Sequence, residues 1–331
     1  MKLKKTIYFI IALLLLLFIF IISISIGTVK IPVHEIINIF NGGGNETSRT
    51  IILNLRLPRV IASAVVGMGL SVVGAFFQGL LRNPMADPYV LGISSGAAFG
   101  ATIAIISGFG MFGLNFMAFV ASLITVFLVY IISKTGTKVS MTAMLLAGTA
   151  ISAFISAIIS LIMLINHDEF TRIVFWTMGG FNLINWNSVA FTTPIILIGS
   201  LAMYVFSRDI NAILTGEEAA EHLGINTTLV KKIILVIGSL VTAAAVSISG
   251  IIGFVGLIIP HISRIIVGPD NRVLVPFSAI SGAIFLTCAN TLSQIILKPS
   301  EIPIGIITAT FGGPFFIYLL IKHKRKGERM F

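Results

Sequence analysis

The sequence predicts an all-α, polytopic membrane protein of ten transmembrane helices, and three observations carry that expectation. First, 56% of the 331 residues are hydrophobic and only 10% are charged, with a mean hydropathy of +1.06; soluble domains carry roughly 25% charged residues. Second, the apolar residues fall in continuous runs of about 20, the length that crosses a bilayer as a helix. A β-barrel would alternate instead. Third, Lys and Arg gather in alternate loops, as the positive-inside rule requires. The 31 glycines suit close helix packing in lipid. The net charge of +10 does not point to nucleic acid, because the charges flank apolar runs. The one cysteine, Cys288, excludes an internal disulfide, and the five histidines are scattered, so neither a metal site nor a cofactor site is expected.

Lys2, Lys4 and Lys5 precede the first apolar run, Ile7 to Ile26. It is longer than a signal-peptide core of about 7–15 residues, and Ser-Ile-Ser-Ile-Gly is a poor cleavage site, so a retained first span with a cytoplasmic N-terminus is expected. Thr28 to Leu57 then lies outside. The second span runs from Pro58 to Leu81, and Arg82 to Pro88 makes a tight cytoplasmic turn with two prolines as breakers. The third span is Tyr89 to Ser107. After an external loop at Gly108 to Gly113, the fourth runs from Leu114 to Ser133. Lys134 and Lys138 mark the inside, and the fifth span is Met141 to Ile165. Asn166 to Trp186 is external, with Trp176 and Trp186 suited to the interface.

The sixth span, Asn187 to Phe206, leads to the one long charged run, Ser207 to Lys232. Thr215 and Glu218 form a capping box, so a short helix is expected to begin there and to stop at Gly224. Glu217, Glu218 and Glu221 lie on one side of it, with an apolar stripe of Ala219, Ala220 and Leu223 beside them. Such a helix is either a docking element or an ordinary solvated loop helix. The seventh span is Leu229 to Ser249. The eighth, Gly250 to Ile266, is expected to break near Pro260. The ninth is Val273 to Ile296, and the tenth, Ile304 to Ile321, precedes a basic tail.

This topology places 16 Lys and Arg inside and 6 outside, which accounts for all 22 and puts both termini in the cytoplasm. Spans two to five and seven to ten can form two halves. Span seven comes five spans after span two, an odd offset, which makes those halves inverted.

Several residues stand out. Arg56 and Arg59, flanking Pro58 at an outer helix end, run against the charge trend. They either snorkel to lipid phosphate or pair with carboxylates on an external partner, a role that suits the arginine fork. Asn83, Met85, Ser140 and Thr142 lie at cytoplasmic span ends, as plain turns and caps or as the mouth of a pathway. No Gly-Lys pair occurs, so the chain carries no P-loop and is not itself an ATPase or another enzyme. The spans also lack buried Asp and Glu of the kind that ion-coupled transporters use. An ion-coupled secondary transporter with inverted repeats is the alternative reading.

The motifs Leu55-Arg56-Leu57-Pro58-Arg59, Asn83-Pro84-Met85-Ala86-Asp87-Pro88, Leu91 to Gly96, Trp176 to Gly180, Gly216-Glu217 through Leu223-Gly224, Gly253 through Arg264 and Pro303-Ile304-Gly305 through Gly313-Pro314 occur in order over nearly the whole chain. Together they resemble the FecCD-type permease subunits of bacterial ABC importers for iron–siderophores, haem and cobalamin. The resemblance implies a type II importer fold, a single transmembrane domain over residues 1–331, and a homodimer in the cytoplasmic membrane. It also implies two cytoplasmic ATPase subunits, an external substrate-binding protein and a metal-chelate substrate. By that likeness, residues 207–228 are the ATPase-coupling segment, through Gly216, Glu217, Ala220, Leu223 and Gly224. Arg56 and Arg59 would dock the binding protein. A further family arginine falls at Gln294 here, where Lys298 is the expected substitute. Asn83, Met85, Ser140 and Thr142 fall in the cytoplasmic gate.

Overall fold

The computed structural model describes residues 2–27, 29, 31–135 and 138–326; Lys30 and Arg329, two of the charges counted above, lie outside the described residues. In chain order the helices are α1 (Lys2–Ser25), α2 (Val33–Phe40), α3 (Glu46–Thr50), α4 (Leu57–Leu80), α5 (Ile93–Ile106), α6 (Met111–Ile132), α7 (Met141–Ile165), α8 (Phe170–Thr177), α9 (Trp186–Val205), α10 (Ser207–Thr215), α11 (Glu217–His222), α12 (Thr227–Ser249), α13 (Val255–Val267), α14 (Asn271–Ile295) and α15 (Ile304–Lys326). An antiparallel pair of two-residue strands, β1 (Lys134–Thr135) and β2 (Lys138–Val139), lies between α6 and α7.

Among the described residues seven helices are long and apolar enough to cross a membrane. Three shorter apolar helices, Ile93–Ile106, Val255–Val267 and Ile304–Tyr318, stand where the third, eighth and tenth spans were expected. The central helix is α4, whose span is 83% buried. It packs against α9, α12, α13 and α14. Glycines set the distance. A Cβ at Gly74 would lie 1.9 Å from Gly256 O, and one at Gly67 would lie 2.2 Å from Gly282 O. Helices that touch backbone to backbone gain dispersion contact where lipid offers no hydrophobic drive. By contrast α1 and α7 are each only 17% buried over their spans.

The predicted boundaries hold to a few residues, with three corrections. Pro58 does not start the second span. A continuous helical run begins at Glu46 and passes through a π turn, Ile51–Arg56, into α4. The wide π turn comes just ahead of Pro58, which has no N–H to continue an α-helical ladder. The third span starts later than Tyr89: Pro88–Leu91 is a 3-10 turn, Gly92 has φ +77°, and α5 begins only at Ile93. The break in the eighth span comes before its helix and not at Pro260. Residues 250–253 are non-helical, Phe254 has φ +69°, and α13 continues through Pro260.

The last two corrections share a cause. α5 and α13 have 14 and 13 residues. At 1.5 Å per residue they rise only about 20 Å, short of the roughly 30 Å hydrocarbon core. Non-helical chain makes up the depth, which membranes tolerate where that chain is buried in protein. Pro88, Leu91, Gly250 and Ile252 are buried. The two irregular segments also meet, since the Tyr89 hydroxyl donates to Ile252 O at 3.0 Å.

The packing of α4–α7 is repeated by α12–α15. α4 lies on α13 and α14 as α12 lies on α5 and α6; α5 packs on α6 as α13 packs on α14. Both short helices follow a residue in the left-handed region, Gly92 and Phe254. Each of those turns meets a glycine on the last helix of its own half. A Cβ at Gly148 would lie 2.5 Å from Val90 O, and one at Gly312 would lie 2.3 Å from the Phe254 ring.

Candidate functional site

One end of the bundle is built around α10 and α11. Ile210 and Ile213 are 0% and 1% exposed and seat α10 on the ends of α4 and α14. Two polar clasps add direction. Arg82, just past α4, donates from Nη2 to Ile213 O at 2.8 Å. Asn211 donates to Asp270 Oδ1 at 2.7 Å and accepts from Asn271 N at 3.0 Å. The Asp270 carboxyl is held down to about 2, first by its hydrogen bond from the Arg272 side chain, with Asn211 adding to it.

The expected capping box at Thr215 does not form. Thr215 Oγ1 donates back to Ala212 O at the end of α10, and Gly216, at φ +149°, turns the chain into α11. The N-cap position of α11 falls on Gly216, which has no side chain to cap with. Gly224 ends the helix as expected, at φ +81°. The apolar stripe is divided: Ala220 is 0% exposed and faces the bundle, whereas Leu223 is 73% exposed. Ala219, Glu218 and His222 are exposed beside Leu223. Glu217 is drawn back to Lys231 Nζ at 2.6 Å, a hydrogen bond that lowers its pKa, and Glu221 accepts from Thr227. The free surface of α11 is therefore Glu218, Ala219, His222 and Leu223.

At the same end, Asn83 Oδ1 accepts from Met85 N at 2.9 Å, which makes Asn83-Pro84-Met85 a side-chain-closed turn. Ser140 caps α7 by accepting from Ala143 N at 3.3 Å. Ser140 and Thr142 are exposed; Met85 is half-buried. Thr142 opens a face of α7 on which Leu146, Thr149, Ala153, Ser156 and Ser160 are also exposed. No charged residue occurs between Met141 and Ile165.

The opposite end gathers the three cations expected to meet an external protein, and all three are engaged within the chain. Arg56 is the most buried of the three, at only 7% exposed. Its Nη1 donates to Ile24 O at 2.7 Å and Ser25 O at 3.0 Å, and its Nη2 donates to Val29 O. These are carbonyls at and beyond the end of α1, which have no partner in their own helix. Lys298 Nζ donates to Gly27 O at 2.8 Å in the same stretch. Arg59 grips Glu301 with both terminal nitrogens, at 2.9 and 2.8 Å, and Asn290 with Nε at 2.8 Å. Its side chain is 12% exposed and Glu301's is 29%. The pair lines a cavity of about 440 Å³ together with Asn182, Ser293 and Ser300. Gln294 is 7% exposed and donates to Asn290 O within its own helix.

Comparison with known proteins decides the family. The model of the FecCD transport family matches residues 15–322. The chain belongs to the FecCD transport family. It is 42% identical over 279 residues to the cobalamin import system permease protein BtuC of Halobacterium salinarum, covering 84% of this chain and 75% of that protein. It is 35% identical over 295 residues to the hemin transport system permease protein HmuU of Yersinia pestis, covering 87% and 88%. A solved structure described as an inward-facing conformation of a metal-chelate type ABC transporter superposes with a TM-score of 0.86 at 33% identity, covering 96% of this chain and 99% of that one. This FecCD member is thus a permease subunit of an ABC importer, which sets aside the ion-coupled alternative.

The sequence of this FecCD permease does not reveal the partner that each of these side chains takes. Glu301 is the only acid in its turn and, among the described residues, the carboxylate that Arg59 grips. Arg82, Asn211 and Lys231 carry no pattern that would mark them as clasps, because their partners are backbone atoms or residues distant in sequence.

Proposed function

We propose that this permease imports a metal chelate, an iron–siderophore complex or one of the haem or cobalamin kind, by alternating access across the bacterial cytoplasmic membrane. The observation that carries the reading is the face of α7 that runs from Thr142 to Ser160. It is exposed, free of charge and lined by hydroxyls and apolar groups. A second copy of the chain covering that face makes a pathway that a bulky chelate slides along without a charged group to hold it. The curated relatives named for cobalamin and hemin support that class of cargo.

In this reading the α10–α11 end faces the cytoplasm, with both chain termini, as the Lys and Arg count requires. The exposed Leu223, with Ala219 and Glu218, enters a cleft on one of two ATPase subunits, while Gly216, Ala220, Gly224 and the Glu217–Lys231 pair hold α11 in place. ATP-driven closure of the ATPases displaces α10–α11, and rigid helices pass this to the gate residues Asn83, Met85, Ser140 and Thr142. An external binding protein docks at the opposite end over the Arg59 cavity, with Lys298 at its margin.

The test is uptake into proteoliposomes holding the permease, its ATPase and its binding protein. Ferric hydroxamate, hemin and cyanocobalamin are offered in turn. One of them accumulates only with internal ATP. Uptake that persists without ATP and collapses with the ion gradient refutes the reading.

A further inference from the structure

Pro260 lies inside α13 and has no N–H for the carbonyl of Gly256, four residues earlier. Gln78 of α4, which is 0% exposed, fills that place. Its Nε2 donates to Leu257 O at 2.9 Å and lies 3.4 Å from Gly256 O. Its Oε1 accepts from Arg264 Nη1 at 3.4 Å. Arg264 stands one turn beyond the proline on the same helix. A single side chain thus spans the defect, holding carbonyls on one side of Pro260 and a guanidinium on the other. Gly74, one turn back on α4, provides the close approach that lets Gln78 reach. This is why α13 runs on through a residue that ordinarily ends or kinks a helix.

Both supports of the bridge continue to α10. Past the end of α4, Arg82 holds Ile213 O. Past the end of α13, Asp270 and Asn271 hold Asn211. At its other end α13 meets the irregular segment that contacts Tyr89.

We propose that Gln78 is a positioning residue that joins the two halves of α13 across Pro260, so that displacement of α10–α11 moves α13 as one rod and reaches residues 250–254. Without it the helix yields at Pro260 and absorbs the movement. The joint itself stands independently; its use as a relay rests on the reading of α10–α11 as the ATPase contact.

Hydrogen exchange of the permease in nanodiscs tests the joint, because exchange reports local opening. Gln78→Leu speeds exchange of the amides in 258–267 at least tenfold and leaves the other spans within twofold. In a Pro260→Ala background, where residue 260 supplies its own N–H to Gly256 O, the same change has less than a threefold effect. An undiminished tenfold effect in that background, no effect with Pro260 present, or faster exchange throughout the chain overturns the proposal. Gln78→Glu keeps the acceptor for Arg264 and loses the donor; it gives the same local result should the leucine variant not fold.

The relay is tested in the complex with the ATPase subunits and a non-hydrolysable ATP analogue. Wild type changes protection at 207–223 and at 250–254, and Gln78→Leu keeps the first change and loses the second. A change at both places in the variant, or at 207–223 alone in wild type, overturns the relay. No change at 207–223 in wild type is instead a failure of the coupling assignment, and the nanodisc result still decides the joint.

Discussion

Replacing Arg56 by Met separates two roles for a cation at the outer end of α4. The side chain is close in length and keeps most of the buried stem, so the lost quantity is the guanidinium. Three carbonyl oxygens lose a charged donor: Ile24 O, Ser25 O and Val29 O. Hydrogen bonds to charged groups contribute about 1.5–3 kcal/mol each where water cannot replace them. Only the bond to Ile24 O is fully buried, so it is assigned about 2 kcal/mol. The other two are partly buried and water restores much of each, leaving about 0.5 kcal/mol apiece. The expected destabilisation is about 3 kcal/mol, concentrated where α1 rests on α14 and α4. The assay is reversible unfolding in mixed micelles, read alongside affinity for the external binding protein. Arg56→Met lowers the unfolding free energy by that amount while the folded fraction binds its partner as wild type does. A variant within about 0.5 kcal/mol of wild-type stability that binds the partner tenfold more weakly, most of all at low salt, refutes the inward clamp and restores Arg56 as a docking residue.

The exposed and buried halves of the α11 stripe give opposite results on substitution. Leu223→Glu, at a position 73% exposed, leaves the melting temperature unchanged and weakens ATPase capture at least tenfold on the order of a single lost hot spot. Ala220→Glu, at a position 0% exposed, puts a charge into the packed face and is read as loss of folded permease in size-exclusion chromatography. Gly74→Val cannot be absorbed by side-chain motion, because its Cβ meets the backbone oxygen of Gly256 at 1.9 Å. It costs more than the usual overpacking penalty of about 1–3 kcal/mol, measured by unfolding. Asp270 has its pKa depressed to about 2, so its stabilisation is present above the ordinary carboxylate range near 4 and is lost as pH falls from about 4 towards 2. Because the group is about one-third exposed, solvent screening leaves roughly 1 kcal/mol of it. Asp270→Asn removes that segment of the pH–stability curve.

What was legible in the sequence follows from what hydropathy measures. Runs of apolar residues report contact with lipid, and the helices that bury least, α1 and α7, were placed within a few residues. The irregular chain ahead of α5 and α13 was not legible, because its residues are as apolar as a helix. Buried in protein, such chain satisfies its backbone through contacts such as Tyr89 to Ile252 O. The same limit applies to the sites. A charge out of place marked Arg56 and Arg59, yet their neighbours differ: carbonyls of α1 for one, a carboxylate 242 residues away for the other. Charge pattern locates a cation near a helix end and is silent on which way it turns.

The distribution of polar bonds bears on which parts of this permease move together. α1, α4 and α14 are tied at several levels: Arg59 to Asn290 and Glu301, Ser63 to Thr287, Ser23 to Thr291, and Arg56 to the end of α1. The α10–α11 segment joins that group through Arg82 and Asn211. By contrast α7 touches mainly α5 and α6, and its contacts with them run through small groups such as Ser95 to Ser152. Packed units with two arrangements shift as bodies more readily than they deform. The bonded unit α1–α4–α14 with α10–α11 is therefore the frame. The elements free to change register against it are α5–α7, whereas α13 is tied to it through Gln78. On that division the seam between frame and moving elements is the buried irregular segment at Pro88–Gly92. The Tyr89–Ile252 bond closes that seam onto the irregular segment ahead of α13, so the two cannot part without breaking it.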